Sequence, residues 1–167
     1  MPALILGVEQ AIADIRDQML RPQFNAVLEL VYAQNPDHTI NLQRVPDNRY
    51  YISEAIEPLN PPAIFIVSDR TTHDLNWQNG AMQEHTIIVG CVVEDHEVQR
   101  IVKKSWRYAQ AIVNVLHDKG TPNIRVLVES VDYGPTLVMQ RAADLREFRK
   151  DIIVMCKVLH AEAMLLA

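Results

Sequence analysis

Glycine is scarce in this chain, with five in 167 residues: Gly7, Gly80, Gly90, Gly120 and Gly134. Their spacing contains neither GxGxxG nor GxxxxGK, so neither a dinucleotide nor a P-loop phosphate cradle is supported. Cysteine is scarcer still. Cys91 and Cys156 lie in separate β-like apolar runs, and neither has a ligand partner two residues away. Buried free thiols of a cytoplasmic protein are therefore expected, not a zinc site or a disulfide. No run of about eighteen apolar residues occurs, so no membrane span is expected. The first residues, MPALILGVEQAIADIRDQ, lack a basic start and soon carry Glu9, Asp14 and Asp17, unlike a secretory signal. Positive charge is the minority as well: 16 Lys and Arg against 21 Asp and Glu leave a formal charge of −5. Phosphate binding needs clustered cations, so this balance argues against whole-chain attraction to DNA or RNA. Aromatic residues are few, at 6%.

What is present is organised around residues 84–120. EHTIIVGCVVED is rich in β-branched residues and too apolar on both faces to lie open to water. It feeds HEVQRIVKKSWRYAQAIVNVLHDK, where Val98, Ile101, Val102, Ala109, Ile112, Val113 and Leu116 recur at helical spacing. Asp95 is placed to cap the helix start, and Gly120 to take the left-handed conformation after its end.

Residues 3–20 also show a helical stripe, Leu4, Val8, Ile12, Ile15 and Met19, with a bend expected at Pro22 before Gln23–Ala33 continues. Residues 35–62 hold five of the nine prolines, which excludes a long helix or a central strand. Short extended pieces there, HTINLQRV and RYYISEAI, could pair as a small hairpin. Ala63–Ser68, Ile124–Val131 and Phe148–Ala163 read as strands. Polar stretches 69–83 and 133–147 then read as long hairpin tips. The expected fold is α+β, in the order α-β-β-α-β-β: a four-stranded sheet with helices packed on one face. The whole chain, 1–167, is read as a single domain with 35–62 as an inserted proline-rich arm.

Candidate chemistry is thin. His73, His85 and His96 are widely spaced, and His85 and Cys91 stand too far apart along one strand to share a metal. Cys156 and His160 are likewise separated along a strand, with His160 reading as a terminal polar residue. Glu94, Asp95 and Glu97 bracket a helix start, which accounts for them. The one concentrated basic patch is the helix face of Arg100, Lys103, Lys104 and Arg107, read as a solvated face. Trp77, among polar neighbours in the tip at 69–83, has no core to join and suits an interface, with Arg70 and His73 beside it. Trp106, Arg107 and Lys103 form a second candidate interface group. No catalytic, cofactor or metal residue is assigned.

The succession of the Leu4–Met19 stripe, AIFIVSDR, EHTIIVGCVVED, VQRIVKKSWRYAQAIVNVLHDKG, IRVLVESVDYGP and FRKDIIVMCKVLHAEA resembles the tail terminator, or tail-completion, proteins of tailed bacteriophages. The resemblance runs over residues 1–34 and 63–163 and rests on element order. It implies a non-enzymatic virion subunit, assembled in the host cytoplasm, that forms a hexameric ring on the tail tube. Such a ring would stop tube growth and meet the head–tail connector, with DNA passing through unbound. Another ring-forming neck, head-completion or tube-like virion protein is the alternative. A small enzyme with a site assembled from distant residues such as His85, Cys156 or Asp151 is the second.

Overall fold

A computed structural model describes residues 7–53, 60–74, 82–142 and 145–160. The sheet in it has six strands, not the expected four, in the order β1-β2-β3-β6-β5-β4. These are β1 (Tyr50–Tyr51), β2 (Ala63–Asp74), β3 (Met82–Asp95), β4 (Lys119–Gly120), β5 (Ile124–Ala142) and β6 (Leu145–His160). The two extra strands come from segments too short to carry a period-two signal. β1 lies in the proline-rich arm and pairs parallel with β2, Tyr50 opposite Ile64. β4 follows the second helix and pairs with β5, Lys119 opposite Val126. The hairpin expected within the arm does not form among the described residues: 40–46 carries no strand, and Tyr50–Tyr51 turns to the sheet instead.

The first helix, α1, runs continuously over 8–34 and does not break at Pro22. Val8–Asp14 and Arg21–Gln34 are α-helical, and Ile15–Leu20 between them is a wider π turn. Arg21 donates its N–H to Arg16 O, five residues back. This one-residue slip falls just before the proline, whose missing N–H then sits at the start of a fresh α-helical stretch. Ile12, Ile15, Met19, Leu20, Phe24, Leu28 and Val31 are buried along one side. Leu4 lies outside the described residues.

The second helix, α2, spans Val98–Leu116. Glu97, not Asp95, occupies its N-cap position; the Asp95 carboxylate accepts the Glu97 N–H at 3.1 Å. The left-handed residue after the helix is Asp118, at φ 57°, not Gly120. Gly120 is needed for a different reason: a Cβ there would lie 1.9 Å from Ile124 O, across the tight turn into β5.

The core lies between helices and sheet. Ile87, Val89 and Cys91 of β3 face Cys156, Val154 and Ile152 of β6 across the ladder, all at 0% exposure. Ile101, Tyr108, Ile112 and Leu116 of α2 join them in one buried cluster with α1. Burying each such aliphatic side chain contributes about 2 kcal/mol. A smaller cluster, Ala63, Phe65 and Val92, occupies the opposite face with Tyr51, Ile88 and Ile153 against it. The supposed polar tips are largely strand. β2 and β3 stay paired out to Asp74 opposite Met82, and β5 and β6 to Ala142 opposite Leu145. Polar composition is misleading at these positions because a paired strand can be wet on both sides, as Ser68–Thr72 of β2 are.

Candidate assembly surface

The sheet is unfinished at both margins. β1 covers β2 only at Ile64 and Phe65, and β4 covers β5 only at Arg125 and Val126. Among the described residues no strand pairs with the outer edge of β2 over 66–74 or of β5 over 127–142. Such edges present rows of backbone donors and acceptors to an incoming strand. Each margin carries a bulge, between Ser68 and Arg70 on β2 and between Val128 and Ser130 on β5. A further irregularity on β5 lies between Tyr133 and Thr136, at Gly134 and Pro135. Proline belongs on an edge strand, where its missing N–H breaks no ladder within the sheet. Nearly buried Lys150 donates to the Gly134 carbonyl at 2.6 Å and holds that irregularity in place. Tyr133, Leu137 and Val138 are exposed along the same strand.

The six residues singled out from the sequence fall into two places. Arg70 is exposed on the β2 margin and stands opposite Thr86. His73 occupies the same margin, its backbone opposite Gln83. Trp77 lies outside the described residues. Lys103, Trp106 and Arg107 come together on α2, where with residues 35–39 they line an open groove of about 520 Å³. Trp106 is 54% exposed. Lys103 pairs with Asp37 at 3.1 Å. Arg107 buries one guanidinium nitrogen, Nη1, with no hydrogen-bond acceptor among the described residues.

The helix face is not the solvated basic patch its composition suggests. Lys104 is nearly buried, 2.8 Å from Asp95 Oδ2, and donates to Glu94 O at 3.4 Å. Arg100 lies 3.1 Å from Asp95 and 3.4 Å from Glu97. Burial pushes the Asp95 carboxyl up, but the Lys104 hydrogen bond, the Glu97 N–H and the two cations outweigh it, and the net shift is below the usual carboxylate range. Acids answer three of the four cations, so the face exerts little long-range positive field.

Sequence reasoning misses one constellation. His85 and His160 are both buried, with their Nε2 atoms 2.7 Å apart, and Thr71 Oγ1 lies 2.8 Å from His85 Nδ1. His160 is therefore an inward-facing residue of the sheet and not a terminal polar one. The available signal is parity: His85 shares the inward face with Ile87 and Val89, as His160 does with Val158 and Cys156. The rings meet at 89° with centroids 4.8 Å apart, so the two nitrogens lie almost head-on between them. That is the geometry of a shared N–H···N bond; chelation needs lone pairs that converge on a third point. Among the described residues no three His, Cys, Asp or Glu side chains are grouped to hold a metal ion, and no helix is long and apolar enough to cross a membrane.

No protein-family model and no curated protein matches the chain. Among solved structures it is similar to a chain from the virion of a native gene transfer agent particle, with a TM-score of 0.34 and 11% identity. That match covers 85% of this chain and 96% of the other.

Proposed function

We propose that this chain is a structural subunit of a tailed-phage-like particle, a tail terminator that closes as a homo-oligomeric ring, a hexamer, on the end of the tail tube. The ring joins the tube to the head–tail connector, and DNA passes through it without specific binding. The whole chain acts as one such domain, with 35–62 as an arm inserted into it.

One observation carries this reading: among the described residues no strand covers the sheet along 66–74 on one side or along 127–142 on the other. A monomer that works alone covers or shortens such edges. Two unlike open margins on opposite sides of one sheet suit head-to-tail contact, which closes into a ring when the rotation between copies divides a full turn. The groove at Lys103, Trp106 and Arg107 is then the surface for the tube or connector.

Native mass measurement and sedimentation of the purified chain, alone and mixed with tail tubes, test the proposal. The expected result is a closed oligomer of uniform size that caps tube ends. A monomer at all concentrations that leaves tubes uncapped would overturn it.

A further inference from the structure

A ring of this kind needs a joint between copies, and the joint inferred from the two margins rests on the ring reading. We propose that the β2 margin of one copy pairs antiparallel with the β5 margin of the next, in a slid register that sets Arg70 opposite Asp132.

Strand direction follows from topology. β2, β3, β6 and β5 alternate antiparallel at every step, so β5 runs opposite to β2. Rotation about an axis along the strands preserves their direction, so a neighbour's β5 reaches β2 antiparallel. The alternation then continues through every copy of a closed ring. Contact between like margins would be two-fold and would leave the other margin open.

Register follows from what blocks each margin. Tracing ladder partners across the sheet places Ile66 level with Val89, Val154 and Val131, and Arg70 level with Thr86, Lys157 and Leu127. In that flush alignment only Ile66–Arg70 and Leu127–Val131 lie clear of β1 and β4 on both copies, and there the Val128 N–H is already taken by His117 Nδ1 at 3.1 Å. The bulge residues Asp69 and Glu129 would flank the same Ser68–Val128 level there, like charge near like.

Sliding the neighbour toward the β2–β3 hairpin carries its β4 past Asp74 and lengthens the overlap. Its Gly134–Pro135 irregularity then arrives near Ile66, where a bulged strand bends away from β1. A stagger of this kind is what closing a sheet on itself requires. The slide must be an even number of steps to keep each side chain on its own face. Arg70 and Asp132 meet that condition. Arg70 pairs with Thr86 and Asp132 with Ile153, both on the face away from the helices, and both charged side chains are exposed.

The test is cysteine cross-linking of the whole chain, since Cys91 and Cys156 are buried and do not compete. Mild oxidation of the double variant Arg70→Cys with Asp132→Cys is expected to give a ladder of covalent multimers ending at the ring size. Arg70→Cys with Leu127→Cys, the flush register, is expected to stay uncross-linked. Charge exchange provides a second reading: Arg70→Glu or Asp132→Arg alone lowers the ring fraction about tenfold, and the two together restore it. Sedimentation of the untreated chain separates the two claims. Absence of a ring overturns the ring reading and the joint with it. A ring whose Arg70→Cys, Asp132→Cys variant forms no interchain disulfide, or whose Arg70→Cys variant alone gives covalent dimers, overturns only the joint.

Discussion

The Phe65 ring lies across the backbone of Gly90, its partner on the neighbouring strand: a Cβ at Gly90 would fall 1.9 Å from the Phe65 Cζ. The ring is 2% exposed and packs with Ala63 and Val92 on the face that the helices do not reach. Gly90 therefore supplies the floor of the second core. Gly90→Ala is expected to cost about 1–3 kcal/mol, since the ring has to leave its place. Urea unfolding measures it. Adding Phe65→Leu to Gly90→Ala is expected to recover part of that loss, a coupling that independent sites would not show.

Legibility follows burial period. The inward alternation of β6 and the stripe of α2 are plain in the sequence because one face of each is deeply buried and the other less so, and β3 reads as strand because both of its faces are apolar. β1 and β4 are two residues each, too short for any period, so a strand count from sequence comes out too low. The outer parts of β2 and β5 are wet on both sides, and Arg70, Thr71 and Thr72 read as loop although they are laddered to β3. A bend at Pro22 is expected because its missing hydrogen bond is legible; the π turn that absorbs it is not, since Ile15–Leu20 carries no special residue. Lys103, Trp106 and Arg107 are found together because helical spacing alone groups them. The His85–His160 contact depends on the register between strands 75 positions apart, which no local pattern encodes.

Thiol chemistry should be silent in the folded protein. Burial, with a smaller contribution from Glu129, pushes the Cys156 thiol up to about 12. Burial, with Asp151 adding to it, raises Cys91 further. The nucleophile is the thiolate, so neither is expected to react with an aromatic disulfide reagent at neutral pH until the chain is unfolded. Two thiols should then titrate together. Rapid reaction of one in the native state would show that the inner face of the sheet opens to solvent.

The Asp95–Lys104 pair makes a pH prediction with a definite sign. The Asp95 carboxyl is held below its unfolded value, so its contribution is complete above the ordinary carboxylate range, about pH 4, and is lost as pH falls through the lower folded value. Thermal midpoints of the native chain should therefore drop on acidification below about pH 4 more steeply than those of Asp95→Asn. At neutral pH, Asp95→Asn leaves nearly buried Lys104 without its carboxylate and is expected to cost about 3 kcal/mol. Replacing both partners, Asp95→Asn with Lys104→Met, should cost less than the single change, because no buried cation is then stranded. An additive double variant would mean that Lys104 finds other solvation.

Asp14 fastens α1 to the turn that enters β5. It is 1% exposed and accepts four hydrogen bonds: from Gln10 Nε2 at 2.7 Å, Gln18 Nε2 at 3.2 Å, Thr121 Oγ1 at 2.9 Å and Asn123 Nδ2 at 3.1 Å. All four donors are neutral, so the carboxylate is solvated by the protein in place of water. Asp14→Ala strands four donors at once and is expected to cost about 3 kcal/mol, toward the upper end for hydrogen bonds to a charged group. Asp14→Asn is no mild change at this position, because its amide would point a donor at donors already in place. The distinguishing measurement is amide exchange in the turn at 121–124, where Thr121 N–H donates to Ile124 O at 2.9 Å. If Asp14 fastens that turn, both variants speed exchange there while leaving the β3–β6 ladder protected. Unchanged exchange in the turn with an unchanged urea midpoint would mean that helix and turn are held by the apolar core alone.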